Sequence, residues 1–238
     1  MPGNASVCVR YTLHKTDAAL AAIAQALARK LALPDWVQPR FNVGLTNVVP
    51  VAALGPPGAE LRGMMWGLVP FYERGKPRRQ MLPNAKSETA ATSPAFRQAV
   101  ARRRCLVPAN GFYEWKTVGR LKLPHVFMLQ GEEPFAFAGL WEPGADQVPE
   151  TFTILTTTPN ELVRPIHNRM PVLLATETMA RWLGDQPLPE DEYRALTAPL
   201  AAERMTVRPV NRFVSNSRNE GPRCLAPPDD EPPELPLG

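Results

Sequence analysis

Apolar residues recur with helical spacing at only a few places in this chain. Leu20, Ile23, Leu27 and Leu31 share one face of a run that Thr16 or Asp17 can cap and Pro34 stops, which predicts a helix to about Leu33. A second helix is predicted from Ser93-Pro94 to about Arg102, with proline at its first position. Short helices are expected over Thr178–Leu183 and Glu190–Leu196. Between them lie short β-like runs: Val48–Leu54, Leu61–Trp66, Cys105–Val107, Phe112–Lys116, His125–Leu129, Phe135–Trp141, Phe152–Thr157 and Met170–Leu174. Strands outnumber helices and do not alternate regularly with them. That predicts a mixed α+β fold with a largely antiparallel, curled sheet.

The 28 prolines interrupt nearly every candidate element, keeping strands short and loops ordered. No internal repeat or linker divides the chain, so one domain is expected. At 238 residues and 44% hydrophobic content it can bury a proper core without a disulfide or metal staple. The cysteines, Cys8, Cys105 and Cys224, are odd in number and widely spaced, which argues against a disulfide framework or a zinc site. No metal or organic cofactor is expected. With no membrane-length apolar run and no secretory pattern, a cytoplasmic protein is expected, and a monomer.

The net charge of +4 conceals an asymmetry. Residues 226–238 hold Asp229, Asp230, Glu231 and Glu234 and no cation, so the 27 Lys and Arg face 19 carboxylates over residues 1–225, leaving +8 there. This Pro-rich acidic tail is expected to be disordered. Two basic clusters, Arg74-Lys76-Arg78-Arg79 and Arg102-Arg103-Arg104, read by themselves as solvated surface.

Cys8, in the run Val7-Cys8-Val9-Arg10-Tyr11, carries the most specific chemistry. An N-terminal cysteine has an amine and a thiol on one residue, and that pair converts an aldehyde first to an imine and then to a five-membered thiazolidine. Cys8 has that pair only once residues 1–7 are absent. Self-cleavage after Val7 or translation starting at Val7 would expose it; the second is the expectation, because some valine codons serve as bacterial starts.

Four further segments place polar groups beside aromatics and glycines: Met65-Trp66-Gly67-Leu68-Val69-Pro70, Asn84-Ala85-Lys86-Ser87-Glu88-Thr89, Val107 to Trp115, and Ile166-His167-Asn168-Arg169-Met170-Pro171. Together with Cys8-Val9-Arg10-Tyr11 and Arg40-Phe41-Asn42-Val43, they resemble the SRAP family of SOS response-associated peptidases, or abasic-site processing proteins, from Cys8 to about Cys224. The resemblance implies a single domain, here residues 8–225, around a barrel-like sheet with a positive groove for single-stranded DNA. It implies a covalent thiazolidine with the ring-opened aldehyde of an abasic site. Cys8 would be the nucleophile, Asn84 would orient its terminus, Glu114 would be the acid/base, and His167 would assist imine formation or reversal.

The chemistry asks for such groups. An α-amine with a pKa near 8 is about one-tenth free base at neutral pH, so a carboxylate that takes its proton and later supplies one to the departing water would help. Glu114, between Tyr113 and Trp115, is expected to be desolvated enough for that work, although the alternating Glu114-Trp115-Lys116 run leaves its face open. His167, without the resemblance, reads as a structural histidine satisfied by a backbone carbonyl.

Arg10, Lys86 and Arg169 match phosphate-holding positions, and Trp66-Gly67-Leu68 matches a wedge between bases. Three departures stand out: Lys86 where an arginine is usual, Gly44-Leu45 in place of Ala-Pro, and Val9 in place of glycine. The resemblance leads to a DNA-repair enzyme that shields abasic sites by crosslinking and is nucleoid-associated when bound. A cysteine peptidase acting on its own leader is a compatible second activity. A non-catalytic single-strand binding module is the alternative if the leader stays attached.

Overall fold

Strands that are buried along most of their length build two sheets around one interior. The computed structural model describes residues 9–55, 58–73, 75–76, 80–145, 147–184 and 186–229. One sheet has five strands in the order β13 (Met205–Pro209), β8 (Leu121–Leu129), β7 (Gly111–Val118), β1 (Arg10–Leu13) and β2 (Arg40–Gly44). The second runs β11 (Met170–Pro171), β10 (Thr151–Thr157), β4 (Gly58–Trp66), β3 (Val48–Gly55), β6 (Arg104–Ala109), β9 (Phe135–Glu142) and β12 (Leu173–Leu174), with β5 (Asn84–Lys86) beside β10. Because β9 also pairs with β10, this sheet curls back on itself. All pairings are antiparallel except β10 with β4 and with β5. The expected α+β fold with a curled, largely antiparallel sheet is what the chain adopts, divided between two sheets.

Between the sheets pack Tyr11, Trp66, Phe112, Phe127, Phe135, Phe137 and Phe152. The outer face of the curled sheet is covered by α1 (Thr16–Ala26) and α4 (Thr176–Leu183), which bury Ile23, Met179 and Trp182 against Leu106 and Leu140. Every residue of β6 is buried, since it has core on one face and helices on the other.

The first helix stops well short of Leu33. Leu27 closes it and Ala28 turns to φ 46°, so Leu27 and Leu31 reach the outer core from beyond the helical turns. The helix expected from Ser93 begins with a turn closed by the Arg97 N–H on the Ser93 carbonyl, and regular helix α3 covers Arg97–Arg102. Of the Arg102-Arg103-Arg104 cluster, Arg102 alone is exposed. Arg104 is buried and donates to the carbonyls of Val100, Trp182, Gly184 and Gln186, while Arg103 pairs with Glu142. In the other cluster Lys76 pairs with Glu73 at 2.6 Å, and Arg74, Arg78 and Arg79 lie outside the described residues.

Four strands escaped the sequence pattern: β1, β2, β5 and β13. The segment after β13 wraps back over β2. Asn42 donates through Nδ2 to the carbonyls of Val214, Asn216 and Asn219, and the Glu220 carboxylate accepts from Arg40 Nε and the Phe41 N–H. This wrap forms one wall of the site.

Candidate active site and nucleic-acid interface

The pairing of β1 with β7 fixes the geometry. Tyr11 faces Phe112 and Thr12 faces Gly111; the same count continued outward sets Val9 level with Glu114. Val9, Glu114 and His167 line one cavity of about 910 Å³, together with Trp115, Ile166, Asn211, Phe213 and Ser215. Cys8 itself lies outside the described residues.

Glu114 is only 4% exposed, which settles the face that the sequence left open: its carboxylate is an interior group at the cavity. Trp115, its neighbour, donates from Nε1 to Ser215 Oγ at 2.9 Å, tying the strand to the C-terminal wrap. His167 is half-buried, and burial and the nearby Lys122 charge lower its pKa against the opposing pull of the Arg169 backbone. Its Nδ1 lies 3.2 Å from both the nitrogen and the carbonyl oxygen of Arg169. A neutral ring accepts from that N–H and keeps its Nε2 proton; a protonated ring donates to the carbonyl. The backbone-satisfied geometry expected of a structural histidine and a place in the cavity thus coexist.

Asn84 does not line this cavity. It opens β5, level with Ile154 of β10, while Lys86 at the other end of β5 is level with Thr156, and Thr156 with Pro171. That register brings Lys86 and the His167–Arg169 turn to the same edge. Lys86 is exposed there. Arg169 is largely committed: its Nη1 and Nη2 donate to the two carboxylate oxygens of Glu88, and Nη2 also to the Thr156 carbonyl at 2.7 Å. Arg10 is half-buried, with Nη1 shared between Asn42 Oδ1 and the Val214 carbonyl. Of the three cations matched to phosphates, Lys86 alone projects openly.

Trp66 and Leu68, expected to wedge between bases, present no exposed side chain. Both are fully buried; Trp66 donates from Nε1 to the Pro83 carbonyl at 2.9 Å and stacks on Phe152. Reaching a base would cost that core packing. Gly67 between them takes φ 117°, a backbone that disfavours any side chain, and the Met81 side chain lies 3.4 Å from where a Cβ would stand. The exposed apolar groups near this turn are Phe71, Tyr72 and Met81.

Sequence reading missed the cations of the cavity rim. Arg120 and Lys122 come from the β7–β8 hairpin, and Arg212 and Arg223 from the C-terminal wrap. Nothing in their spacing announces a cluster, since the fold alone brings them together. Cys105 and Cys224 are both buried. Burial raises the Cys105 thiol well above its usual value, and burial with the Glu220 charge pushes Cys224 up to about 11, so both stay protonated and inert at neutral pH. Among the described residues no three His, Cys, Asp or Glu side chains are grouped to hold a metal ion, and no helix is long and apolar enough to cross a membrane.

The model of the family "SOS response associated peptidase (SRAP)" matches residues 7–217, from one position before Cys8 into the C-terminal wrap. The chain belongs to the SRAP family. Among curated SRAP relatives, the abasic site processing protein YoqW of Bacillus subtilis is 33% identical over 193 residues, covering 79% of this chain and 85% of that protein. The abasic site processing protein YedK of Escherichia coli is 26% identical over 227 residues, covering 93% and 100%. A solved protein structure from Bacteroides thetaiotaomicron superposes with a TM-score of 0.77 at 26% identity, covering 92% of this chain and 99% of that one.

Proposed function

We propose that this SRAP protein processes abasic sites in single-stranded DNA by forming a thiazolidine crosslink through Cys8, after residues 1–7 have been removed or left untranslated. One observation carries the reading: Val9, to which Cys8 is bonded, lines the same cavity as Glu114 and His167. The free Cys8 amine attacks the aldehyde carbon of the opened sugar, a C–N bond forms, and water leaves as the imine forms. The Cys8 sulfur then adds to the imine carbon and its proton passes to the nitrogen, so the whole sequence releases one water. Glu114 takes the ammonium proton at the start and supplies one to the departing oxygen. His167 moves the proton in the ring-closing or ring-opening step, and Asn84, from β5, orients the terminus.

The DNA strand runs past His167 between two groups of cations. Lys86 stands on one side, beside an Arg169 that Glu88 holds; Arg120, Lys122, Arg212 and Arg223 stand on the other. Such contacts hold phosphates without reading sequence. Trp115, partly exposed at the cavity beside Glu114, is the aromatic for a base next to the lesion. Self-cleavage would use the same groups, with the Cys8 thiol attacking the Val7 carbonyl.

The test is incubation of protein beginning at Cys8 with a single-stranded oligonucleotide carrying one abasic site. A band that survives denaturation, and is absent with undamaged oligonucleotide or with Cys8→Ala, is the expected result. Binding without any such band would reduce the protein to a non-catalytic single-strand binding module.

A further inference from the structure

We propose that the acidic C-terminal segment, residues 230–238, docks on the cationic rim of the cavity and competes there with the DNA strand. The competition rests on the function proposed above; the docking does not. Asn211 fixes the root of the segment. Its N–H donates to the Ala226 carbonyl at 2.8 Å, and its Nδ2 to the Pro227 carbonyl at 3.3 Å and to Asp229 Oδ1 at 2.9 Å. Asp229 also stands 3.8 Å from the Arg223 guanidinium and itself lines the cavity. The chain is thus delivered to the cavity rim with its first carboxylate already among the cations.

Among the described residues, four exposed cations line that rim, Arg120, Lys122, Arg212 and Arg223, against two carboxylates, Glu114 and Asp229. The next residues are Asp230, Glu231, Pro232, Pro233 and Glu234, with no cation before the end of the sequence. Three more carboxylates follow within five residues of Asp229, a length of chain that reaches at most about 18 Å. A serial run of negative charge, tethered at this point, meets the same cations that a phosphodiester backbone would use. Tethering gives it an effective concentration in the millimolar range, so even weak docking is felt.

Two measurements decide it. In the first, affinity for an undamaged single-stranded oligonucleotide is compared at low salt between the full chain, a version ending at Asp229, and a full-length Asp230→Asn, Glu231→Gln, Glu234→Gln variant. Both altered proteins should bind roughly three- to tenfold more tightly, with the gain fading as salt screens the rim. Equal affinities for all three would overturn the competition. In the second, a labelled synthetic peptide of residues 230–238 is titrated onto the shortened protein. Binding that weakens in an Arg120→Gln, Lys122→Gln version is expected; no binding at low salt would overturn the docking. Failure of every version to bind DNA would instead count against the proposed function and the competition, while the peptide titration still decides the docking.

Discussion

Glu88 holds Arg169 in a two-pronged ion pair, Oε1 accepting from Nη1 at 2.6 Å and Oε2 from Nη2 at 2.8 Å. The bond to Arg169 lowers the Glu88 pKa, so the pair is ionised at neutral pH and the guanidinium is withheld from any phosphate. Glu88→Gln should release it. Affinity for single-stranded DNA is expected to rise severalfold, and the slope of log affinity against log salt to steepen by about 0.7, the increment for one added phosphate contact on a single strand. An unchanged slope would confine Arg169 to bracing the turn between His167 and β11.

Trp66→Ala should act on stability before it acts on DNA. Removing a fully buried indole that also donates to the Pro83 carbonyl is expected to cost about 3–5 kcal/mol in denaturant unfolding. A wedge residue would show the reverse, a loss of DNA affinity at constant stability. Tyr72→Ala, at an exposed ring, should leave stability within about 0.5 kcal/mol.

The strands in the middle of the chain were legible because β3, β6 and β9 are runs of mostly apolar residues, and β10 of β-branched and apolar ones, long enough to stand out against turns. β1, β2 and β5 were not, for a physical reason: they carry Arg10, Asn42, Asn84 and Lys86, polar residues that break the apolar pattern, of which Arg10 and Asn42 tie down the C-terminal wrap. Motif order singled out Glu114 and His167, and these two do line one cavity with Val9. Whether the Glu114 side chain faced inward was not legible, since that depends on the β1–β7 register. The burial of the Trp66 ring was not legible either, because a motif places a residue in the chain without saying which way its ring points.

Acidity should separate His167 from an ordinary histidine. Burial first, and Lys122 second, hold its pKa below the usual value, so the ring stays neutral as pH falls past about 6.5 and gains its proton only in more acid solution. Lys122→Gln removes one cause and should move the midpoint upward. Following the ring proton resonance of His167 by NMR checks both statements, and a wild-type midpoint at or above the ordinary value would contradict them.

Glu114→Gln keeps the shape of the cavity and removes the proposed proton acceptor. Crosslinking by protein that begins at Cys8 is expected to slow by about 10²–10⁴-fold with DNA affinity nearly unchanged, because the phosphate contacts remain. Equal crosslinking rates would remove Glu114 from the mechanism.

The central claim is that the amine and thiol of one residue, Cys8, both react. The direct measurement is the mass and attachment site of the adduct formed with abasic single-stranded DNA, compared between protein beginning at Cys8 and protein that keeps residues 1–7. The account predicts an adduct at Cys8, one water lighter than the sum of its parts, in the first protein and none in the second. The same adduct at Cys8 in a protein whose mass still includes Met1 to Val7 would contradict it, because the Val7–Cys8 peptide bond leaves no amine to close the ring.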